Sequence, residues 1–125
     1  MEEVITFSFF VPNQPEGTAK RKLSQFLQKL AASKIKLQAI SASADRRRFK
    51  IYCAPKDPAK LRSFLKSHKI RAKERVAFVF QSNDVGRCLS AFDKMALSAF
   101  DFSGFDASAI GQRASGVMWS EKTSR

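Results

Sequence analysis

Residues 35–44 read IKLQAISASA, and residues 100–109 read FDFSGFDASA. At this offset of 65 residues the apolar and small residues of the two segments align, and the Ala-Ser-Ala ending is identical. The segment Leu23–Phe26, LSQF, also recurs as Leu89–Phe92, LSAF, at an offset of 66. Two matches in the same order at nearly one offset indicate an internal duplication.

The segments around residues 35–44 predict a complete α+β unit. Residues 4–10, VITFSFF, alternate with period two and predict a strand, and from Thr18 the pattern changes to the 3.6-residue period of an amphipathic helix. Residues 48–54 predict the next strand. Asp57 followed by Pro58 is a typical helix start, and residues 70–81 predict a closing strand.

The order β-α-β-β-α-β over residues 4–81 predicts a ferredoxin-like fold, in which both helices cover one face of an antiparallel sheet. The second copy repeats the first strand, the helix and two more strands, with residues 116–119 matching residues 49–52, and then stops. We therefore expect a first unit over residues 1–75 and a truncated βαββ unit over residues 76–125. The absent second helix of the truncated unit predicts a homodimer that covers its sheet.

The net charge of +12 is concentrated in the first unit. Residues 1–75 contain 18 Lys and Arg against 6 Asp and Glu, whereas residues 76–125 contain five of each. Such asymmetry is typical of a surface for an anionic partner, and it equally suits solvated faces that keep a protein soluble.

The sequence offers little for catalysis. Cys53 and Cys88 have no metal-ligand spacing, and His68 is the only histidine. No nucleophile–base pair and no phosphate-binding Gly-rich motif is present, so we predict no catalytic residue, no metal site, no cofactor and no enzymatic activity. No apolar run approaches the roughly 20 residues of a membrane span, and two unpaired cysteines indicate the cytoplasm.

Two strand–helix turns carry a family resemblance. They read Asn13-Gln14-Pro15-Glu16-Gly17 and Asn83-Asp84-Val85-Gly86. A βαββαβ unit with such a turn after its first strand resembles the ACT domain, and the likeness covers almost the whole chain as a tandem pair. The turns depart from the family pattern through the inserted Glu16 and through Val85, which replaces the usual proline.

The resemblance implies a non-enzymatic regulatory module that binds an amino acid or another small effector between paired units. Backbone N–H groups at a glycine turn and the positive end of a helix dipole suit a carboxylate. The effector-binding candidates that the resemblance implies are Asn13, Gln14, Gly17, Asn83, Asp84 and Gly86, with Ser41 and Asp106 on neighbouring strands. The same residue types also form ordinary turns and N-caps.

Nucleic-acid binding is the less favoured alternative. The RNA recognition motif has the same element order and stacks bases on aromatic residues of its sheet. Residues 47–52, RRFKIY, partly resemble its third-strand signature, although both small residues of that signature are absent. Phe10 and Tyr52 are expected on the face opposite Phe9. The candidate residues are Arg46, Arg47, Arg48, Lys50 and Tyr52.

A third interpretation is a structural module that binds an acidic protein. The second unit is rich in large apolar residues, which at helix and strand spacing are typical of a core. They are Phe92, Phe100, Phe102, Phe105, Met118 and Trp119.

Overall fold

The computed structural model describes residues 2–11, 19–45, 48–96, 102–110 and 113–123. Its elements confirm the predicted order. They are β1 (Glu2–Val11), α1 (Ala19–Ala32), β2 (Leu37–Asp45), β3 (Arg48–Pro55), α2 (Pro58–Ser67), β4 (Lys73–Ser82), α3 (Val85–Ala96), β5 (Phe102–Ile110) and β6 (Arg113–Thr123). The protein is therefore α+β.

The chain divides into two compact units. The first comprises Thr6–Glu74, and the second comprises Met1–Ile5 with Arg75–Arg125. No helix among the described residues is both long and apolar enough to span a membrane.

In the first unit, β3 lies between β2 and β1 and pairs antiparallel with both. The Phe9 ring of β1 packs edge-on against Phe26 of α1, with 5.3 Å between centroids. Phe26 in turn packs against Phe64 of α2 at 6.1 Å. Both helices therefore lie on the sheet face that carries Phe9, and Ile51, which faces Phe9 across the strands, is fully buried there.

The start and end of α2 follow from local chemistry. Asp57 precedes the helix in an extended conformation, and its carboxylate accepts a 3.1 Å hydrogen bond from the Ala59 N–H, as the Asp-Pro pair predicted. Lys69, at φ 58°, turns the chain out of the helix. The following strand therefore begins at Lys73, three residues later than predicted.

In the second unit, β6 lies between β4 and β5 and pairs antiparallel with both, while α3 packs against β5 and β6. The buried side chains of this unit come from β4, α3, β6 and the start of β1. They include Val76, Ala77, Cys88, Val117, Met118 and Trp119.

The two hairpins repeat in register. The last pair of β2 and β3 is Asp45–Arg48, and the last pair of β5 and β6 is Ile110–Arg113. An irregularity in the pairing also recurs, between Leu37 and Ala39 in one hairpin and between Phe102 and Gly104 in the other. The offset of 65 thus continues through the third strand. The expected match of residues 116–119 with 49–52 is wrong by two residues, because residues 116–119 correspond to residues 51–54.

Candidate functional site

A cavity with a volume of about 670 Å³ lies at one end of the sheet in the second unit and is open to solvent. It is formed where β4 ends and where the β5–β6 hairpin turns. The described residues that line it are Gln81, Ser82, Asn83, Ser108, Arg113, Ala114 and Ser115. Asn83 is the one effector-binding candidate from the sequence that is among these described lining residues.

The register explains why these side chains meet. Ser115 of β6 pairs with Gln81 on one side and with Ser108 on the other, so the three side chains form a polar row on one sheet face. Arg113 lies two residues before Ser115 and therefore on the same face. A guanidinium, an amide and two hydroxyls suit a small anion that also carries hydrogen-bond donors.

The turn before α3 is held by its own hydrogen bonds. The carboxylate Oδ1 of Asp84 accepts the Gly86 N–H at 2.9 Å, and the Asp84 N–H donates to Oγ of Ser82 at 3.1 Å. Asp84 is therefore the N-cap of α3. A Cβ on Gly86 would lie 3.3 Å from that same Asp84 oxygen, so the backbone passes close to the cap. Asn83 lies between the two bonded residues and borders the cavity.

The remaining candidates have other surroundings. Asp106 accepts a 2.9 Å hydrogen bond from the Trp119 indole. Ser41 lies in the first unit, where it pairs with Tyr52 of β3. Neither is among the described cavity residues. Five candidates, Asn13, Gln14, Gly17, Arg46 and Arg47, lie outside the described residues.

The first unit carries an aromatic and cationic surface on β1 and β3, which are the equivalents in the repeat of the strands β4 and β6 that line the cavity. The Arg48 guanidinium lies 3.6 Å from the centroid of the Phe10 ring. The Lys50 ammonium lies 5.8 Å from Phe10 and 5.1 Å from Tyr52. We call Phe10, Arg48, Lys50 and Tyr52 the aromatic–basic face. As predicted, Phe10 and Tyr52 point to the face opposite Phe9, because neighbouring side chains alternate along a strand.

The two surfaces correspond residue by residue. In the first unit, Lys50 of β3 pairs with Ser43 of β2 on one side and with Phe10 of β1 on the other. In the second unit, Ser115 of β6 pairs in the same way with Ser108 of β5 and with Gln81 of β4. Arg48 and Arg113 are each the first residue of the second strand of their hairpin. Sequence reasoning missed Arg113, although the offset of 65, carried past residue 109, pairs it with Arg48.

A smaller concavity of about 230 Å³ lies on the helical side of the first unit. Buried Val11 and Phe26 border it, together with three exposed lysines from α1 and from the segment after α2. These lysines are Lys22, Lys29 and Lys69.

Both cysteines are buried free thiols. Burial raises the pKa of Cys53 to about 12. Burial, and to a smaller extent the nearby Asp84 carboxylate, raises the pKa of Cys88. Thiols in such surroundings are poor nucleophiles. Among the described residues, no group of three His, Cys, Asp or Glu side chains is placed to hold a metal ion.

The comparisons with known proteins bear on the fold. A solved structure shares this fold. This is the crystal structure of protein BT0572 from Bacteroides thetaiotaomicron, which aligns at a TM-score of 0.69 over 96% of this chain and 81% of that one. The two sequences are 14% identical, so the similarity shows the fold alone. No family model and no curated protein matches the sequence.

Proposed function

We propose that the protein is a non-enzymatic regulatory module of the ACT type that binds a small anionic effector, an amino acid, in the cavity of the second unit. The observation that carries this proposal is the convergence of Arg113 and Asn83 on one concave surface, beside the glycine turn that opens α3. In the family that the sequence resembles, effectors bind at such a turn.

The lining residues favour an amino acid. The Arg113 guanidinium suits bidentate binding of a carboxylate, and the amide oxygens of Asn83 and Gln81 suit an ammonium group. The hydroxyls of Ser108 and Ser115 supply further donors to the carboxylate. The described lining contains no acid, histidine or thiol, which favours binding without catalysis.

The strand order favours the ferredoxin-like ACT arrangement. In both units the third strand of the βαββ segment lies between the first and the second, which places β3 and β6 centrally. We propose a βαββαβ unit from β1 to β4, with α3, β5 and β6 completing a second βαββ repeat that begins at β4, near residue 75.

We further propose that the module acts as a homodimer in the cytoplasm. Among the described residues the second unit has one helix, α3, where the first has two, and it exposes large apolar side chains. Leu89 is 50% exposed and Phe105 is 49% exposed. Association of two chains would remove such side chains from water. The free thiols of Cys53 and Cys88 suit a reducing compartment.

A thermal-unfolding screen against the twenty amino acids tests the effector. A ligand at 100 times its Kd stabilises the folded state by about 2.7 kcal/mol, a shift of several degrees in Tm for a domain of this size. We expect one amino acid to raise the Tm of the wild type and of Arg87→Ala, but not of Arg113→Ala. Arg87 is the matched control, because it is an exposed arginine of the same unit that is not among the described lining residues.

Two results would contradict the proposal. One is the absence of any Tm shift with all twenty amino acids. The other is a shift of equal size in Arg113→Ala and Arg87→Ala, which would place the effector elsewhere.

A further inference from the structure

The aromatic–basic face of the first unit carries rings and cations in alternation. Along β3, Arg48, Lys50 and Tyr52 share one face, and Phe10 of β1 lies directly beside Lys50. We propose that this face is a binding site for single-stranded nucleic acid, separate from the effector cavity. The proposal does not rest on the function proposed for the second unit.

The cation geometry suits stacked bases. The Arg48 guanidinium lies over the Phe10 ring at 3.6 Å, so the two groups form a short stack. Arg48 is exposed. Nucleobases stack on guanidinium planes as well as on aromatic rings, so a base adds to this stack without displacing it. Tyr52, half-buried and two positions along β3 from Lys50, offers a second ring.

The spacing also suits a phosphate backbone. The Lys50 ammonium lies between the two rings, at 5.8 Å from Phe10 and 5.1 Å from Tyr52. A strand with one base on the Arg48–Phe10 stack and another on Tyr52 therefore places a phosphate near Lys50. Ser43, exposed beside Lys50 on β2, supplies a hydroxyl to the same row. Cations that alternate with stacking platforms are the usual means of binding single strands with little sequence preference.

The repeat shows that this chemistry is specific to the first unit. At the equivalent positions the second unit has Gln81 in place of Phe10 and Ser115 in place of Lys50. The second unit therefore lacks the ring and the ammonium at the positions where the first unit carries them. The charge follows the same division, because the whole net excess of +12 lies within residues 1–75.

Fluorescence anisotropy with labelled oligouridine of about 12 nucleotides tests the proposal on the full-length protein. Oligouridine is chosen because its bases stack weakly on one another and stay available. We expect binding to the single strand, and much weaker binding to a duplex of the same length, whose bases are already stacked. Phe10→Leu and Tyr52→Leu should each weaken binding by about 5- to 150-fold, the loss expected for one stacked base.

The cations are tested by the salt dependence of binding. Arg48→Gln combined with Lys50→Gln removes the phosphate contact of Lys50 together with the guanidinium platform, so binding should weaken and the slope of log K against log salt should become shallower by about 0.7. The matched control is Lys22→Gln combined with Lys29→Gln. It removes the same charge from the concavity on the helical side of the first unit, and it should leave the slope nearly unchanged. Phe105→Leu, which removes an exposed ring from the second unit, controls for the aromatic variants.

Each outcome either supports or contradicts the proposed nucleic-acid site. Loss of binding in the aromatic and Arg48/Lys50 variants, with both controls intact, establishes the site. Absence of binding by the wild type overturns it. Equal losses of affinity in the Arg48/Lys50 variant and in the Lys22/Lys29 variant, with no effect of the two aromatic variants, would also overturn the proposal. Binding would then follow net charge alone. Arg113→Ala should bind oligouridine normally, so failure of this site and failure of the effector cavity remain distinguishable. Circular dichroism of every variant confirms that the fold persists.

Discussion

The indole Nε1 of Trp119 donates a 2.9 Å hydrogen bond to Oδ2 of Asp106, joining β6 to β5 diagonally across the hairpin of the second unit. Trp119 is 3% exposed, whereas Asp106 is exposed. Asp106 pairs with Val117 in the register, so its carboxylate reaches past the strand pair to the indole. The bond satisfies the polar atom of a large buried ring.

We expect Asp106→Ala to lower the free energy of unfolding by about 1 to 3 kcal/mol, because it removes the acceptor of a mostly buried N–H group. Urea unfolding measures the change. Asp106→Asn is the control, since the amide oxygen retains an acceptor at the same position, and it should lose less. Equal losses in the two variants would show that the indole hydrogen bond contributes little.

Phe26 is the central ring of the first unit, in edge contact with Phe9 and Phe64. Phe26→Ala removes a 7% exposed ring that joins both helices to the sheet. We expect a loss of about 3 to 5 kcal/mol in the free energy of unfolding. Leu27→Ala on the same helix, where the side chain is 41% exposed, should cost less than about 1 kcal/mol. A Phe26→Ala loss as small as that of Leu27→Ala would contradict this assignment of the core face.

The element order was predictable because the local signals agree. The period-two run before Phe10 and the Asp57-Pro58 start of α2 depend only on neighbouring residues, and the recurrence of residues 35–44 needs only a comparison of two sequence segments. The position of β6 within the repeat was predictable only by carrying the offset of 65 past residue 109, because its sequence has diverged. The strand pairing establishes that Gly116 corresponds to Ile51.

The candidate cavity was predictable only in part. Asn83 is named by the turn pattern, which is local in sequence. Arg113, Ser115 and Gln81 become neighbours through long-range strand pairing, which a turn pattern does not report. The pairing of Phe10 with Lys50 depends equally on register, although the alternation along each strand had already placed Phe10 and Tyr52 opposite Phe9.

Asp84 and Asp57 are N-caps of α3 and α2, and each carboxylate accepts the N–H of the residue two positions later. We expect Asp84→Ala and Asp57→Ala each to cost about 1 kcal/mol of stability, in urea unfolding monitored by circular dichroism. Asp84→Asn and Asp57→Asn, which retain a capping oxygen, should recover most of the loss. A cost well above 2 kcal/mol in Asp84→Ala alone would show that Asp84 has a further structural role.

Arg62 and Glu74 form a bidentate ion pair between α2 and the start of β4, with N–O distances of 2.6 and 3.1 Å. The hydrogen bond from Arg62 lowers the pKa of Glu74. A carboxyl group whose folded pKa is lowered stabilises the fold above its unfolded pKa of about 4.3, and this contribution disappears as the pH falls through the folded value. Because both side chains are partly exposed, water screens the pair and the contribution should be small.

The measurement for this pair is the difference in unfolding free energy between wild type and Glu74→Gln at pH 7 and near pH 3. We expect a small positive difference at pH 7 that shrinks toward zero in acid. Arg62→Gln should remove the same pH dependence. A difference that grows as the pH falls would contradict the lowered pKa.

Cys53 is fully buried in the first unit, and burial raises its pKa to about 12. At pH 8 its thiolate fraction in the folded state is therefore roughly one in ten thousand. In Cys88→Ala, which leaves Cys53 as the single thiol, we expect labelling by Ellman's reagent to be negligible in the native state and complete in denaturing urea.

Because the unfolded thiol of Cys53 has a pKa of about 8.5, its burial stabilises the fold below that pH, and the contribution declines as the pH rises from about 8.5 toward 12. Unfolding free energies at pH 7 and near pH 10.5 should therefore fall more steeply in Cys88→Ala than in the variant that also carries Cys53→Ala. Fast native labelling at pH 8, or equal pH dependence of the two variants, would contradict the burial of this thiol.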